Sequence, residues 1–253
     1  GASAIYFRLP WCYLEPEEGK FRWDLIDSHA QPWVAQGKMI ALRVTACENR
    51  FRYATPEWVQ KAGAKGLDYR FSTIGKPAEE VLWEPDYLDP VFLEKLDRFL
   101  AAMAKRYNGN PSVAFIDIGT FGMWGEGHTG GTSKLSQEET DKRVKVQIDL
   151  YKKHFPDTLL CISDDVAGSS RPGDSFPATD YAFSKGVTLR DDSILVGKAP
   201  KQWFHAGMAQ KFWPTLPVIL EHEHYGLSKE RNAWDPELLL ESVEQYHASY
   251  MSI

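Results

Sequence analysis

Three glutamates stand where they can do acid, base or nucleophilic chemistry. Glu126 lies in "IDIGTFGMWGEGH", Ile116 to His128, where an apolar run gives way to aromatics, glycines, one carboxyl and one imidazole. Glycine-rich backbone lets chain and substrate come close. Apolar neighbours such as Met123 and Trp124 disfavour a charged carboxylate, which suits a general acid. Glu221 and Glu223 lie in "VILEHEHYG", Val218 to Gly226. Residues two apart on a strand share a face, so both carboxyls point the same way and either could attack a carbon. Glu221 directly follows the apolar run and is the first choice of nucleophile; Glu223, deeper in the loop, is the alternative. The plainer readings are a loop carboxylate at Glu126 paired with His128 or an arginine, and a structural ion pair at Glu221.

Other residue types gather around these. Arg8, Arg43 and Arg190, the last followed by Asp191 and Asp192, end apolar runs and can hold a carboxylate ionised or bind a substrate hydroxyl. Trp11, Trp58, Trp83 and Trp124 are expected in loops after strands, where an indole face can stack on a ligand. Trp11, Trp58 and Trp124 join His128, Asp164, His222 and Tyr225 as expected substrate contacts. Imidazole and carboxylate also bind zinc or manganese. His222 and His224, however, alternate with Glu221 and Glu223, so on a strand the two types face opposite ways. No metal and no other cofactor is expected.

A regular alternation of elements must position these groups. Short β-branched or aromatic runs alternate with stretches of helical period, which implies βαβ units and a parallel sheet. Strands are expected at 4–9, 39–44, 113–119, 158–163, 187–192, 217–224 and 248–253. Helices are expected at 23–37, stopped by Gly37, at 90–107 with Pro90 in the first turn, and at 136–155 with a capping-box start at Ser136. Shorter helices are expected near 177–186, 200–212 and 235–246. The stretch from Thr45 to Asp89 shows no clear period and reads as a long irregular loop of functional use. Seven parallel strands without a glycine-rich phosphate loop fit a (β/α)8 TIM-type barrel lacking its first strand and last helix, rather than a doubly wound sheet. Residues 1–253 read as one domain of that kind, and as a fragment of a longer protein.

Composition narrows the partners. The chain has 253 residues, 43% hydrophobic and 25% charged, the balance of a protein that can bury a sizeable core. Its net charge of −6 comes with scattered Lys and Arg, which argues against nucleic acid or an anionic membrane as partner. Nine Trp and 11 Tyr offer flat amphipathic faces for a core or for stacking. Cys12, Cys47 and Cys161 are too few and too dispersed for a disulfide framework or a zinc motif, and read as ordinary buried thiols. No apolar run reaches the length of a membrane span and no leader sequence is evident; a secreted or periplasmic location stays open.

The stretch "LPWCYLEPEEGKFRWDLIDSHAQPWVAQGKMIALRV", Leu9 to Val44, resembles the second βα unit of clan A glycoside hydrolases, especially the β-galactosidase-like families. The resemblance implies that the first strand here is the barrel's second, so that Glu126 follows strand four and Glu221 ends strand seven. Those strands carry the clan's acid/base and nucleophile. The clan usually places Asn immediately before its acid, and Gly125 stands there instead. The expected activity is hydrolysis of a glycosidic bond in an oligo- or polysaccharide by double displacement with retention, Glu126 serving as acid then base. Carboxyls about 5 to 5.5 Å apart retain configuration and those about 6.5 to 9.5 Å apart invert it. Two other readings are a carbohydrate-binding barrel that has lost catalysis and a metal-dependent hydrolase.

Overall fold

A computed structural model describes residues 2–72, 80–168, 176–197 and 206–251. The chain divides into two compact units, Gly1–Leu160 and Cys161–Ile253. In the first, β1 (Ala4–Pro10) leads into a one-turn helix α1 (Trp11–Leu14), then α2 (Asp24–Val34) and β2 (Met39–Thr45). A short helix α3 (Glu57–Lys61) and an antiparallel hairpin, β3 (Gly66–Tyr69) with β4 (Leu82–Pro85), come next. The long helix α4 (Pro90–Tyr107), β5 (Val113–Asp117) and α5 (Gln137–His154) complete that unit. The second unit opens within β6 (Leu160–Ser163) and a 3-10 turn at Asp164–Ala167. It continues through α6 (Pro177–Ser184), β7 (Val187–Ile194), α7 (Ala206–Phe212), β8 (Val218–His222), α8 (Tyr225–Glu230), α9 (Pro236–Gln245) and β9 (Ala248–Met251).

In the first unit β2 lies between β1 and β5, parallel to both. Every residue of β2 after Met39 is buried, as a strand covered on both faces requires. Register puts Arg8 beside Arg43 and Arg43 beside Asp117, one charged rung at the C-terminal ends of three apolar strands. The long helix α4 forms for reasons visible in its sequence. Asp89 caps α4 by accepting from the backbone N–H of Val91 and Phe92, Pro90 fits its first turn, and Phe92, Leu96, Phe99, Leu100 and Met103 bury one stripe. Each such side chain contributes about 1.5–3 kcal/mol relative to exposure. At the start of α5, the Ser136 hydroxyl and the Glu139 carboxylate cap each other's backbone.

In the second unit the strand order is β6-β7-β8-β9, with β7, β8 and β9 parallel. Leu189, Phe212, Val218, Leu220 and Tyr246 form the centre of its core. A register shift between Asp191 and Ile194 of β7 marks the end nearest Glu221.

All seven expected strands are present, with ends that differ by a few residues; residues 200–205 of the helix expected at 200–212, and residues 252 and 253 of the final strand, lie outside the described residues. The stretch from Thr45 to Asp89 is not the irregular loop expected. It holds α3 and the β3–β4 hairpin, elements too short for periodicity to register, and its residues 73–79 also lie outside the described residues. The Trp placements change with it: Trp11 is in α1, Trp58 in α3 and Trp83 in β4, and Trp124 is in a loop. Cys47 and Cys161 are buried as expected, whereas Cys12 is half-buried.

Candidate active site

Asp117 ends β5, and Glu126 follows on a tight turn. Gly122, Trp124, Gly125 and Gly127 all have positive φ, +74°, +58°, +72° and +84°. Glycine adopts that region freely, whereas a bulky residue such as Trp124 is held there at a cost of about 1–3 kcal/mol. The holding bonds are backbone ones: Met123 N–H donates to the His128 carbonyl (2.8 Å), Trp124 N–H to that of Cys47 (2.9 Å) and Glu126 N–H to that of Met123 (3.0 Å). The Trp124 ring meets Phe71 and His128 edge-on. A side chain at position 125 would begin 2.5 Å from the Gly119 carbonyl oxygen. This accounts for the missing Asn: at that backbone angle and that separation, only glycine fits.

The turn delivers Glu126 to the charged rung. Arg43, 1% exposed, donates from Nη1 to Glu126 Oε1 at 2.8 Å, while the Glu126 side chain keeps 13% of its surface open. Arg43 also faces the fully buried Asp117, with Nε 3.6 Å from Oδ2, and Asp117 Oδ2 accepts from the Tyr6 hydroxyl at 2.6 Å. Arg8, 41% exposed, sits between two carboxylates, Glu126 Oε1 at 3.7 Å and Glu48 Oε1 at 3.9 Å. His128 Nε2 is 3.7 Å from Glu126 Oε2. Of the two surroundings expected for Glu126, apolar neighbours or a pairing with His128 or an arginine, the pairing is the one present. Met123 is buried, but the groups that reach the carboxyl are guanidinium and imidazole, and guanidinium favours the ionised form.

The second unit repeats the device in simpler form. Glu221 is a regular strand residue of β8, and Arg190 of β7 donates from Nη1 to its Oε2 at 2.8 Å. Arg190 is 1% and Glu221 24% exposed at the side chain. The same Nη1 reaches Asp192 Oδ2 at 2.7 Å, which also accepts from the Ser163 hydroxyl at 3.2 Å. Glu223 lies past the end of β8 and takes a different partner, Arg231, while accepting from the His224 N–H. The two carboxyls that period two placed on one face are thus divided between two arginines.

Asp164 is fully buried, and burial, then the nearby Asp191, Asp165 and Asp192, pushes its carboxyl well above the ordinary range. Asp164, Asp165 and Asp192 bring carboxylate oxygens within 4.8 Å of one another, donors of the kind a hard cation takes. His222 turns Nδ1 to the Glu223 carbonyl at 2.7 Å and meets Trp234 edge-on. Tyr225, 52% exposed, also meets Trp234 edge-on.

Several expected substrate contacts are elsewhere. Trp11 is completely buried against Phe92, Phe99 and Trp58, with its indole N–H given to Glu15 at 2.8 Å. Trp58 gives its N–H to the Glu15 carbonyl. Trp11 thus offers no face to a ligand; it is core. Arg43 and Arg190 are buried and bond to carboxylates, and Asp164 is fully buried among other acids. Arg8, Trp124, His128, His222 and Tyr225 keep exposed surface. Sequence reading missed Glu48, Asp117 and Tyr6. Asp117 had a signal, an acid closing the otherwise apolar run "VAFID"; the other two had none.

No protein-family model matches the sequence, and no curated protein matches it. Solved structures do match in fold. The catalytic domain of β-amylase from Paenibacillus polymyxa is similar with a TM-score of 0.65 at 11% identity, over 98% of this chain and 84% of that one. Endo-glycoceramidase II from Rhodococcus sp., in complex with a cellobiose-like imidazole, is similar at 0.56 and 13%, over 98% and 64%. The exo-β-1,4-mannosidase Op5Man5 from Opitutaceae bacterium strain TAV5 is similar at 0.59 and 11%, over 98% and 44%. The fold these likenesses show is the TIM-type barrel, with seven strands in its sheet among the described residues. The chain spans less than two thirds of the glycoceramidase and less than half of the mannosidase.

Proposed function

We propose that this protein hydrolyses a glycosidic bond in an oligo- or polysaccharide with retention of configuration. One observation carries the reading. On a fold shared with sugar-cleaving enzymes, whose active sites gather at the C-terminal ends of strands, two glutamates at such ends each keep open surface while a fully buried arginine grips them at 2.8 Å. A carboxylate so gripped is oriented and cannot wander among rotamers. Glu221 attacks the anomeric carbon as the glycosidic bond breaks, and the leaving oxygen takes a proton from Glu126. In the second step the ionised Glu126 accepts a proton from water, whose oxygen displaces Glu221. Arginine pairing suits Glu126 to that second, basic step; the first requires it to have taken up a proton.

That same pairing, with glycine in place of the usual Asn, favours a second reading, a barrel that binds carbohydrate and does not cleave it. Manno- and cello-oligosaccharides are suitable first substrates, since similar structures include an exo-β-1,4-mannosidase and a complex with a cellobiose-like imidazole. Cleavage followed by NMR should give a product of retained anomeric configuration, and a 2-deoxy-2-fluoro glycoside should label Glu221. Glu126→Gln should lower turnover of substrates with poor leaving groups by about 10²- to 10⁴-fold, with added azide restoring the second step. Inverted product, or label on Glu223, would reject this mechanism; binding without cleavage would establish the second reading.

A further inference from the structure

The hairpin that breaks the stretch from Thr45 to Asp89 carries a buried acid with no part in the chemistry above. Glu84 of β4 is fully buried. Its Oε1 accepts from the Tyr87 hydroxyl at 2.9 Å and its Oε2 from the Ser133 backbone N–H at 2.9 Å. The Tyr87 hydroxyl accepts in turn from the Gly122 backbone N–H at 3.0 Å. Gly122 opens the positive-φ turn, and Ser133 lies shortly beyond it. One carboxyl and one phenol thus tie both flanks of the segment that holds Glu126.

The physical need for such a tie is clear. A backbone that leaves β5 and winds through positive φ belongs to no helix or sheet ladder, so its buried N–H groups require outside partners. Burying an acid is costly unless its oxygens are used. Burial raises the Glu84 carboxyl above its ordinary range, and bonds from Tyr87, Thr132 and Ser133 offset only part of that rise. Tyr87 is itself fixed, with its ring edge-on to Phe92 and tilted against Phe121 at 4.7 Å.

We propose that Glu84 and Tyr87 are positioning residues for Glu126, holding the Gly122–Ser133 segment in the one shape that presents the carboxylate to Arg43. The role assigned to them in turnover rests on the reading of Glu126 as acid/base; their hold on the segment does not.

Two measurements on Tyr87→Phe test it. Amide hydrogen exchange over residues 119–134 should quicken by about tenfold or more while β1, β2 and β5 keep their protection. On the sugar series that the parent cleaves, kcat for the methyl glycoside should fall about tenfold with KM within about twofold, and the 2,4-dinitrophenyl glycoside should be nearly spared, since loss of position costs most where a proton must be delivered. Tyr87→Phe combined with Glu126→Gln should be no slower than Glu126→Gln alone. Should Tyr87→Phe not fold, Glu84→Gln keeps shape and volume and should show the same pattern more weakly. Unchanged exchange over 119–134, or additive losses in the double variant, would overturn the proposal. A parent that cleaves nothing, or a harmless Glu126→Gln, would sink the glycosidase reading instead and leave the exchange experiment to decide the brace.

Discussion

Glu126 and Glu221 are held alike and placed differently. Each accepts a 2.8 Å bond from an arginine with 1% of its side chain exposed. Glu221 sits inside β8, so the sheet ladder that orders Val218 to His222 also orders its carboxylate. Glu126 has left β5 and depends on a wound turn, a strained tryptophan and the Glu84–Tyr87 tie. A strand sets position with bonds it makes anyway; a turn needs dedicated ones. The Glu221 region is accordingly robust in backbone and crowded in charge, with Asp164, Asp165, Asp191 and Asp192 nearby, whereas the Glu126 region is exacting in backbone.

The largest test of this contrast removes the arginines. Breaking a buried ion pair by deleting one partner typically costs about 3–5 kcal/mol. Arg43→Met should lie at the upper end, because it takes a cation from the fully buried Asp117 as well as from Glu126. Arg190→Met should cost less, since its two partners, Asp192 and Glu221, keep 7% and 24% of their side chains open and rehydrate more readily than the fully buried Asp117. Urea unfolding of both variants measures the order, and equal costs would erase the distinction.

How far the sequence foretold these regions follows the same division. Period two and the apolar run named Glu221 and its strand, and the seven strands were legible because each is a short apolar run between helical stretches. Glu126 was legible as a residue, and a pairing with His128 or an arginine was one of its two readings, but which arginine was not legible. Met123 and Trp124 are its chain neighbours, yet Arg43 and Arg8 reach it from other strands, and spatial neighbours of that kind are invisible to composition. Trp11 misled for a related reason: an indole serves a core as well as a cleft, and only the positions of Phe92 and Phe99 decide between them. Glu84 escaped because hairpin strands of four residues carry too little pattern to be noticed.

A smaller test concerns the backbone. Gly125→Ala must adopt φ near +72° with its methyl carbon 2.5 Å from the Gly119 carbonyl oxygen. Strain of about 1–3 kcal/mol with overpacking of similar size should lower the unfolding midpoint and impair Glu126-dependent turnover together. Retention of both would show that the turn is laxer than its angles.

The smallest effect is a matter of pH. The Asp164 carboxyl is raised by burial and then by its acidic neighbours, so its neutral form is the one that folding favours. Its contribution is complete below the ordinary Asp range near pH 4 and is lost as pH rises through the raised value. Asp164→Asn, neutral throughout, should match the parent near pH 4 and gain on it steadily toward neutrality, by roughly 2–4 °C in Tm for each kcal/mol of difference. A constant offset across pH would mean that Asp164 does not titrate as its surroundings require.

The close passage of Gly125 over Gly119 also bears on ancestry. Where two backbones touch with no room for a side chain, a change at one position is tolerated only if the other moves, so the pair must travel through descent together. Gly122 is bound in the same way, for a carbon added there would meet the Gly127 backbone. Any lineage that kept this perch should therefore carry the spacing G-x-x-G-x-x-G-E-G with an arginine on an earlier strand, even after the rest of its sequence has drifted beyond recognition. A lineage that restored Asn before the glutamate should have rebuilt the whole turn.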